Sequence, residues 1–177
     1  MHRWEALTDV PSRSNQQHGC WRMRIAFDID DTLIPRPGSI MRTETLHRLP
    51  RLISREPLRE GAPELLKSLR REGHHVWLYT TSYRDPLRLH LWFASFGVVL
   101  NGIVNQRRHD LALATMPVIS SKYPPAFGID LLVDDSEGVY LEGQRYGFSV
   151  LRVFESDSSW CTRVKEHIEE LHRRSSC

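Results

Sequence analysis

The amino-acid sequence predicts an α/β fold, a parallel sheet with helices on both faces. Three observations carry this: short apolar runs of the kind found in strands covered on both sides, segments of helical period between them, and glycines that close those segments. Arg24 to Ile29 is the first strand, an apolar run bounded by acids. Ala62 to Arg71 has Leu65, Leu66 and Leu69 at helical spacing and stops at Gly73, and His75 to Tyr79 is the second strand. Asp85-Pro86 opens a helix whose apolar stripe is read as Leu87, Leu91 and Ala94, closing at Gly97. Short strands follow at Gly102 to Val104, Gly128 to Val133 and Ser149 to Phe154. Val164, Ile168 and Leu171 mark a last amphipathic helix, capped near Asp157 to Ser159.

The chain has 177 residues, room for one domain with a sizeable core. The first 22 are polar and aperiodic and are expected to stand outside the fold, as a disordered arm or because the protein starts at Met23. The folded domain is therefore expected to span residues 23–177. Hydrophobic residues make up 40% and charged residues 26%, an ordinary globular balance. No apolar run approaches the roughly 20 residues that cross a bilayer, so no membrane partner is expected. The net charge of +2 indicates no specific nucleic-acid partner either. Cys20, Cys161 and Cys177 are scattered and odd in number, which points to neither a zinc site nor a disulfide framework. With no signal segment, the cytoplasm is the expected location.

The chemistry is concentrated at strand ends. Asp28-Ile29-Asp30-Asp31-Thr32 puts three carboxylates directly after an apolar run, and in extended backbone Asp28 and Asp30 face the same side. Leu131-Leu132-Val133 ends likewise in Asp134-Asp135. Two acidic ends at the carboxyl edge of one parallel sheet imply a shared pocket for a hard cation. All-oxygen ligands suit magnesium, whereas calcium would want a loop with six or more oxygens, which the sequence lacks. A third run, Val76 to Tyr79, ends in Thr80-Thr81-Ser82, hydroxyls that can hold phosphate oxygens. Lys122, one of few lysines, precedes the Asp134 strand and is the cation an acidic phosphate pocket needs. Trp77, Trp92, Phe93 and Phe96 read as core, His74-His75 as a solvated turn, and Arg84 as a minor candidate for an anionic substrate group.

In order, Asp28-Ile29-Asp30-Asp31-Thr32, the Thr80 strand end, Lys122 and Val133-Asp134-Asp135 resemble the four motifs of the haloacid dehalogenase-like superfamily, over Met23 to about Phe154. The resemblance implies a Rossmann-like domain and a magnesium-dependent phosphatase acting on phosphate monoesters. It implies Asp28 as nucleophile and metal ligand, and Asp30 as general acid and base with its carbonyl on the metal. Thr80 would hold the phosphoryl group and Lys122 balance its charge; Asp135 would bind magnesium, with Asp134 in contact or one water away. Thr32, Thr81 and Arg84 are further substrate-side candidates. Neither Ile34 to Glu60 nor Tyr83 to Ser121 has room for a large cap domain. An open site suits a phosphate on a larger molecule, or a site closed by a second copy in a homo-oligomer. A phosphotransferase using the same aspartyl-phosphate, or a silent phospho-ligand binder, are the alternative functions.

Overall fold

The computed structural model describes residues 21–45 and 53–175. Most of the arm (residues 1–20), part of the proline-bearing gap (46–52), and Cys20 and Cys177 lie outside the described residues.

Five strands form one parallel sheet: β1 (Arg24–Phe27), β2 (His75–Tyr79), β3 (Gly102–Val104), β4 (Leu131–Asp134) and β5 (Val150–Arg152), in the order β3-β2-β1-β4-β5. β1 is central, with Ile25 opposite Val76 on one side and Leu131 on the other. The helices are α1 (Ala62–Arg71), α2 (Pro86–Ser95), α3 (Gln106–Leu113), α4 (Glu137–Tyr146) and α5 (Trp160–Ser175), with a 3₁₀ turn at Pro124–Phe127. The architecture is the expected Rossmann-like α/β sheet. The order reverses at β1, and in such sheets the crevice at that point, beyond the carboxyl ends, receives ligands.

Strand alternation divides the core. Ile25, Phe27, Leu78 and Val133 point to one face, where α1, α2 and α5 supply Leu66, Trp92 and Val164. Ala26, Tyr79 and Leu132 point to the other, against Val139 of α4. Burying one such aliphatic side chain contributes about 1.5–3 kcal/mol, so this two-sided alternation fixes the register. Gly102 is required by packing, because a Cβ there would lie 2.5 Å from the Trp77 ring.

Three readings are corrected. The buried stripe of α2 is Leu89, Trp92 and Phe93, while Leu87 and Leu91 are exposed. Both sets have helical spacing, and the aromatic one buries more apolar area. Trp21, expected outside the fold, packs on the core, 4.6 Å from the His172 ring between centroids. Finally, α3 occupies part of Tyr83 to Ser121, a gap assigned one helix and a strand. No large cap stands among the described residues; after the β1 loop the chain pairs Thr43 antiparallel with Arg59. No helix among them is long and apolar enough to cross a membrane.

Candidate active site

Asp28 follows β1 directly. Its N–H donates to Val133 O at 2.9 Å, continuing the ladder one residue, so its buried side chain stands at the strand end beside those following β4. Carboxylate oxygens of Asp28, Asp134 and Asp135 lie within 4.8 Å of one another. Into this group reaches Lys122, only 3% exposed, donating to Asp28 and, at 2.6 Å, to Asp134. One ammonium cannot neutralise three carboxylates. The remaining negative charge and the all-oxygen donor set fit a hard divalent cation, with Asp28, Asp134 and Asp135 as the residues that could hold it.

The electrostatics agree. Burial pushes the Asp28 carboxyl up to about 7; Lys122 opposes this and Asp134 reinforces it. A cation in the cluster would favour the ionised form. Burial would lower Lys122, but the two carboxylates it touches outweigh burial and hold it above lysine's ordinary value. Asp135 is raised by burial, with Thr32 opposing and Asp134 adding.

The loop after Asp28 is tightly wound: Ile29 O accepts from both Leu33 and Ile34, and Asp31 takes a left-handed φ of 63°, which aspartate tolerates better than most residues. Thr32 is fully buried, donating to Asp135 Oδ1 at 3.0 Å and accepting from Asp135 N at 3.0 Å. It therefore braces the acidic cluster. Arg59 holds this loop from behind; its guanidinium donates to Thr32 O, Phe154 O and Asp157 O at 3.4, 2.7 and 2.8 Å.

Asp30 stands apart. Its side chain is 50% exposed and accepts from Arg84 at 2.7 Å, and Thr80 Oγ1 lies 3.4 Å away. Its carboxylate is not among the clustered three. Thr80 is buried at the end of β2, with its hydroxyl 3.0 Å from Ser82 Oγ; Thr81 is exposed. Arg84 also holds Glu56, through 2.7 and 2.9 Å hydrogen bonds, and these bonds keep the Glu56 carboxyl low.

Lys122 depends on a buried network that sequence reasoning missed. Tyr79 Oη accepts from Tyr123 N at 2.8 Å and lies 2.6 Å from His109 Nδ1, while His109 Nε2 lies 3.1 Å from Ser120 O. Glu142 accepts from Ser120 Oγ at 2.9 Å and from Ser121 Oγ at 2.7 Å. Ser120 and Ser121 before Lys122 and Tyr123 after it are thereby pinned. Neither His109 nor Glu142 lies in a pattern that would single it out.

Neither a family model nor a curated protein matches the chain. A chain in the solved structure of a Pnkp1/Rnl/Hen1 complex superposes with a TM-score of 0.49 at 14% identity, covering 86% of this chain and 53% of that one. This chain thus spans about half the length of that one. A likeness of that size says nothing about chemistry.

Proposed function

We propose that the protein is a magnesium-dependent phosphohydrolase of the haloacid dehalogenase-like type, using Asp28 as nucleophile on a phosphate monoester. The observation that supports this most is the cluster at the switch point of the sheet: Asp28, Asp134 and Asp135 with Lys122 between two of them. A nucleophilic carboxylate must approach an already anionic phosphate, so its pocket needs fixed positive charge. Lys122 supplies one such charge; magnesium, when bound by the three carboxylates, would supply the rest and polarise the phosphoryl oxygens.

In the first half-reaction an Asp28 oxygen forms a bond to phosphorus, the bond to the leaving oxygen breaks, and Asp30 gives that oxygen its proton. In the second, Asp30 takes a proton from water, the water oxygen bonds to phosphorus, and the aspartyl–phosphorus bond breaks. Asp28 is regenerated and inorganic phosphate leaves. Lys122 neutralises charge on Asp28 and the phosphoryl group throughout, and the Thr80 hydroxyl donates to a phosphoryl oxygen. Asp30 accepts from Arg84, so acid catalysis requires it to release Arg84 and turn toward the leaving oxygen. Its half-exposed position on the loop leaves room for that turn.

Substituting the two aspartates separately tests the scheme. With an activated aryl phosphate and magnesium, rapid quenching and intact mass measurement should find one added phosphoryl group on Asp30→Asn and none on Asp28→Asn. Phosphorylation of the Asp28→Asn chain would assign the nucleophile elsewhere. Adding acceptor alcohols to the same reaction separates hydrolysis from transfer by product.

A further inference from the structure

Next to Asp30, through Arg84, lies a cleft of about 750 Å³ between the Ile53–Glu56 segment and α2. Its walls include Ile53, Leu89 and Trp92, and its rim carries Arg55, Arg84 and Arg88. Arg84 links it to the reaction centre, because the same guanidinium nitrogen donates to Asp30 at 2.7 Å and to Glu56 at 2.9 Å. We propose that this cleft is the leaving-group subsite, and that it takes an alcohol with an apolar body ending in a second anionic group, phosphate or carboxylate. This rests on the reading of Asp28 and Asp30 as the reacting pair.

Two independent observations point to a ligand. The first is charge. Three arginines line the cleft against two acids, Glu56, which Arg84 engages, and Asp85, which accepts the Arg88 N–H that it caps at 2.7 Å. Arg55 and Arg88 are exposed and make no ion pair among the described residues. Arg88 is nonetheless held in place, its Nε and Nη2 donating to Ile53 O at 3.2 and 3.0 Å, which leaves Nη1 for another acceptor. A guanidinium fixed this way loses less freedom on binding an anion than a loose one.

The second observation is Trp92. Its side chain is 1% exposed and forms an apolar wall of the cleft together with Leu89 and Ile53. An apolar wall and a cationic rim match a leaving group that has a flat or aliphatic body and a charged end.

Three aryl phosphates test this: 4-ethylphenyl phosphate, 4-(carboxymethyl)phenyl phosphate and 4-(phosphonomethyl)phenyl phosphate. The two with a second anion should show kcat/KM at least about tenfold above the first, mostly through KM, and the larger gain identifies the preferred anion. In Arg88→Gln the ratio should fall to near one; Arg55→Gln serves if Arg88→Gln fails to fold, because Arg55 makes no side-chain hydrogen bond among the described residues. Calorimetric binding of (4-hydroxybenzyl)phosphonate, the product of the third substrate, provides a readout independent of turnover. Tighter binding than 4-ethylphenol, lost in Arg88→Gln, supports the subsite even if no aryl phosphate is hydrolysed, in which case the phosphatase reading alone falls. Equal binding of the two phenols, or equal binding by the native and substituted chains, overturns it.

Discussion

The Lys122 ammonium donates to the Asp134 carboxylate across 2.6 Å and with the same nitrogen reaches Asp28, so one buried cation serves two buried acids. Removing it leaves both buried carboxylates without a counter-charge. Lys122→Met is expected to lower stability by about 3–5 kcal/mol, the usual cost of leaving a buried charge unpaired. Urea unfolding measures this. Adding Asp134→Asn to Lys122→Met should recover part of the loss by removing one stranded charge; a double variant no more stable than the single would show that the cost lies in packing.

Metal binding has a readout that needs no substrate. A cation bound only by the folded protein stabilises it by about 2.7 kcal/mol at a hundredfold excess over Kd. For a domain of this size that raises Tm by roughly 5–10 °C. Magnesium should produce such a rise in the native chain and none in Asp135→Asn, whose carboxylate is one of the three in the cluster. An unchanged native Tm at millimolar magnesium would argue against a preformed site.

The acidic cluster was legible in the sequence because Asp28 and Asp134-Asp135 each end an apolar run, and two strand ends of one parallel sheet necessarily meet at the same edge. The Leu65, Leu66 and Leu69 stripe of α1 was legible for a similar reason, since one period fits it. In α2 two periods fit, and leucine positions could not say whether Leu87 or Trp92 faces inward. The Tyr79–His109 pair and the Arg59 clamp on Thr32 O were hidden because single residues pairing across 30 and 27 positions leave no periodic trace. The engagement of Asp30 with Arg84 was hidden too; spacing placed Asp30 on the side of Asp28, but its loop turns it toward the rim.

Trp21 gives the start of the folded region an energetic test. It packs on the core and meets the rings of His74 and His172 with centroids 6.4 and 4.6 Å apart. A chain beginning at Met23 should fold and keep its activity, because no residue of the acidic cluster touches Trp21. It should nevertheless be about 1–2 kcal/mol less stable, since a partly buried indole is lost. Trp21→Ala in the full chain should reproduce that loss. If truncation costs much more than Trp21→Ala, residues before Trp21 contribute as well.

The network around Lys122 has a pH dependence that follows from its hydrogen bonds. Ser120 O can only accept, so neutral His109 carries its hydrogen on Nε2 and its Nδ1 accepts from Tyr79 Oη, which in turn accepts from Tyr123 N. This requires neutral His109. Burial lowers its pKa, with Asp110, Ser120 and Glu142 opposing. Between that lowered value and the unfolded value of about 6.5, the unfolded chain binds the extra proton and the folded one does not, so the contribution of His109 to stability falls as pH drops through this window and is flat above it. His74 and His167 are lowered in the same direction and contribute to the same slope. His109→Gln can still accept from Tyr79 and donate to Ser120 but cannot titrate. Urea unfolding at about pH 7.5 and about pH 5.5 should show a less favourable change on acidification for the native chain than for His109→Gln. What is common to both is the sum of His74 and His167, which lower stability as pH falls, and of Asp28 and Asp135, which are raised in the folded state and act in the opposite direction. Ser120 and Tyr123 straddle Lys122, so the native chain should also lose turnover more steeply than His109→Gln over that interval. An equal stability change in both chains would mean that His109 stays uncharged across the range, or that its contacts do not depend on its charge.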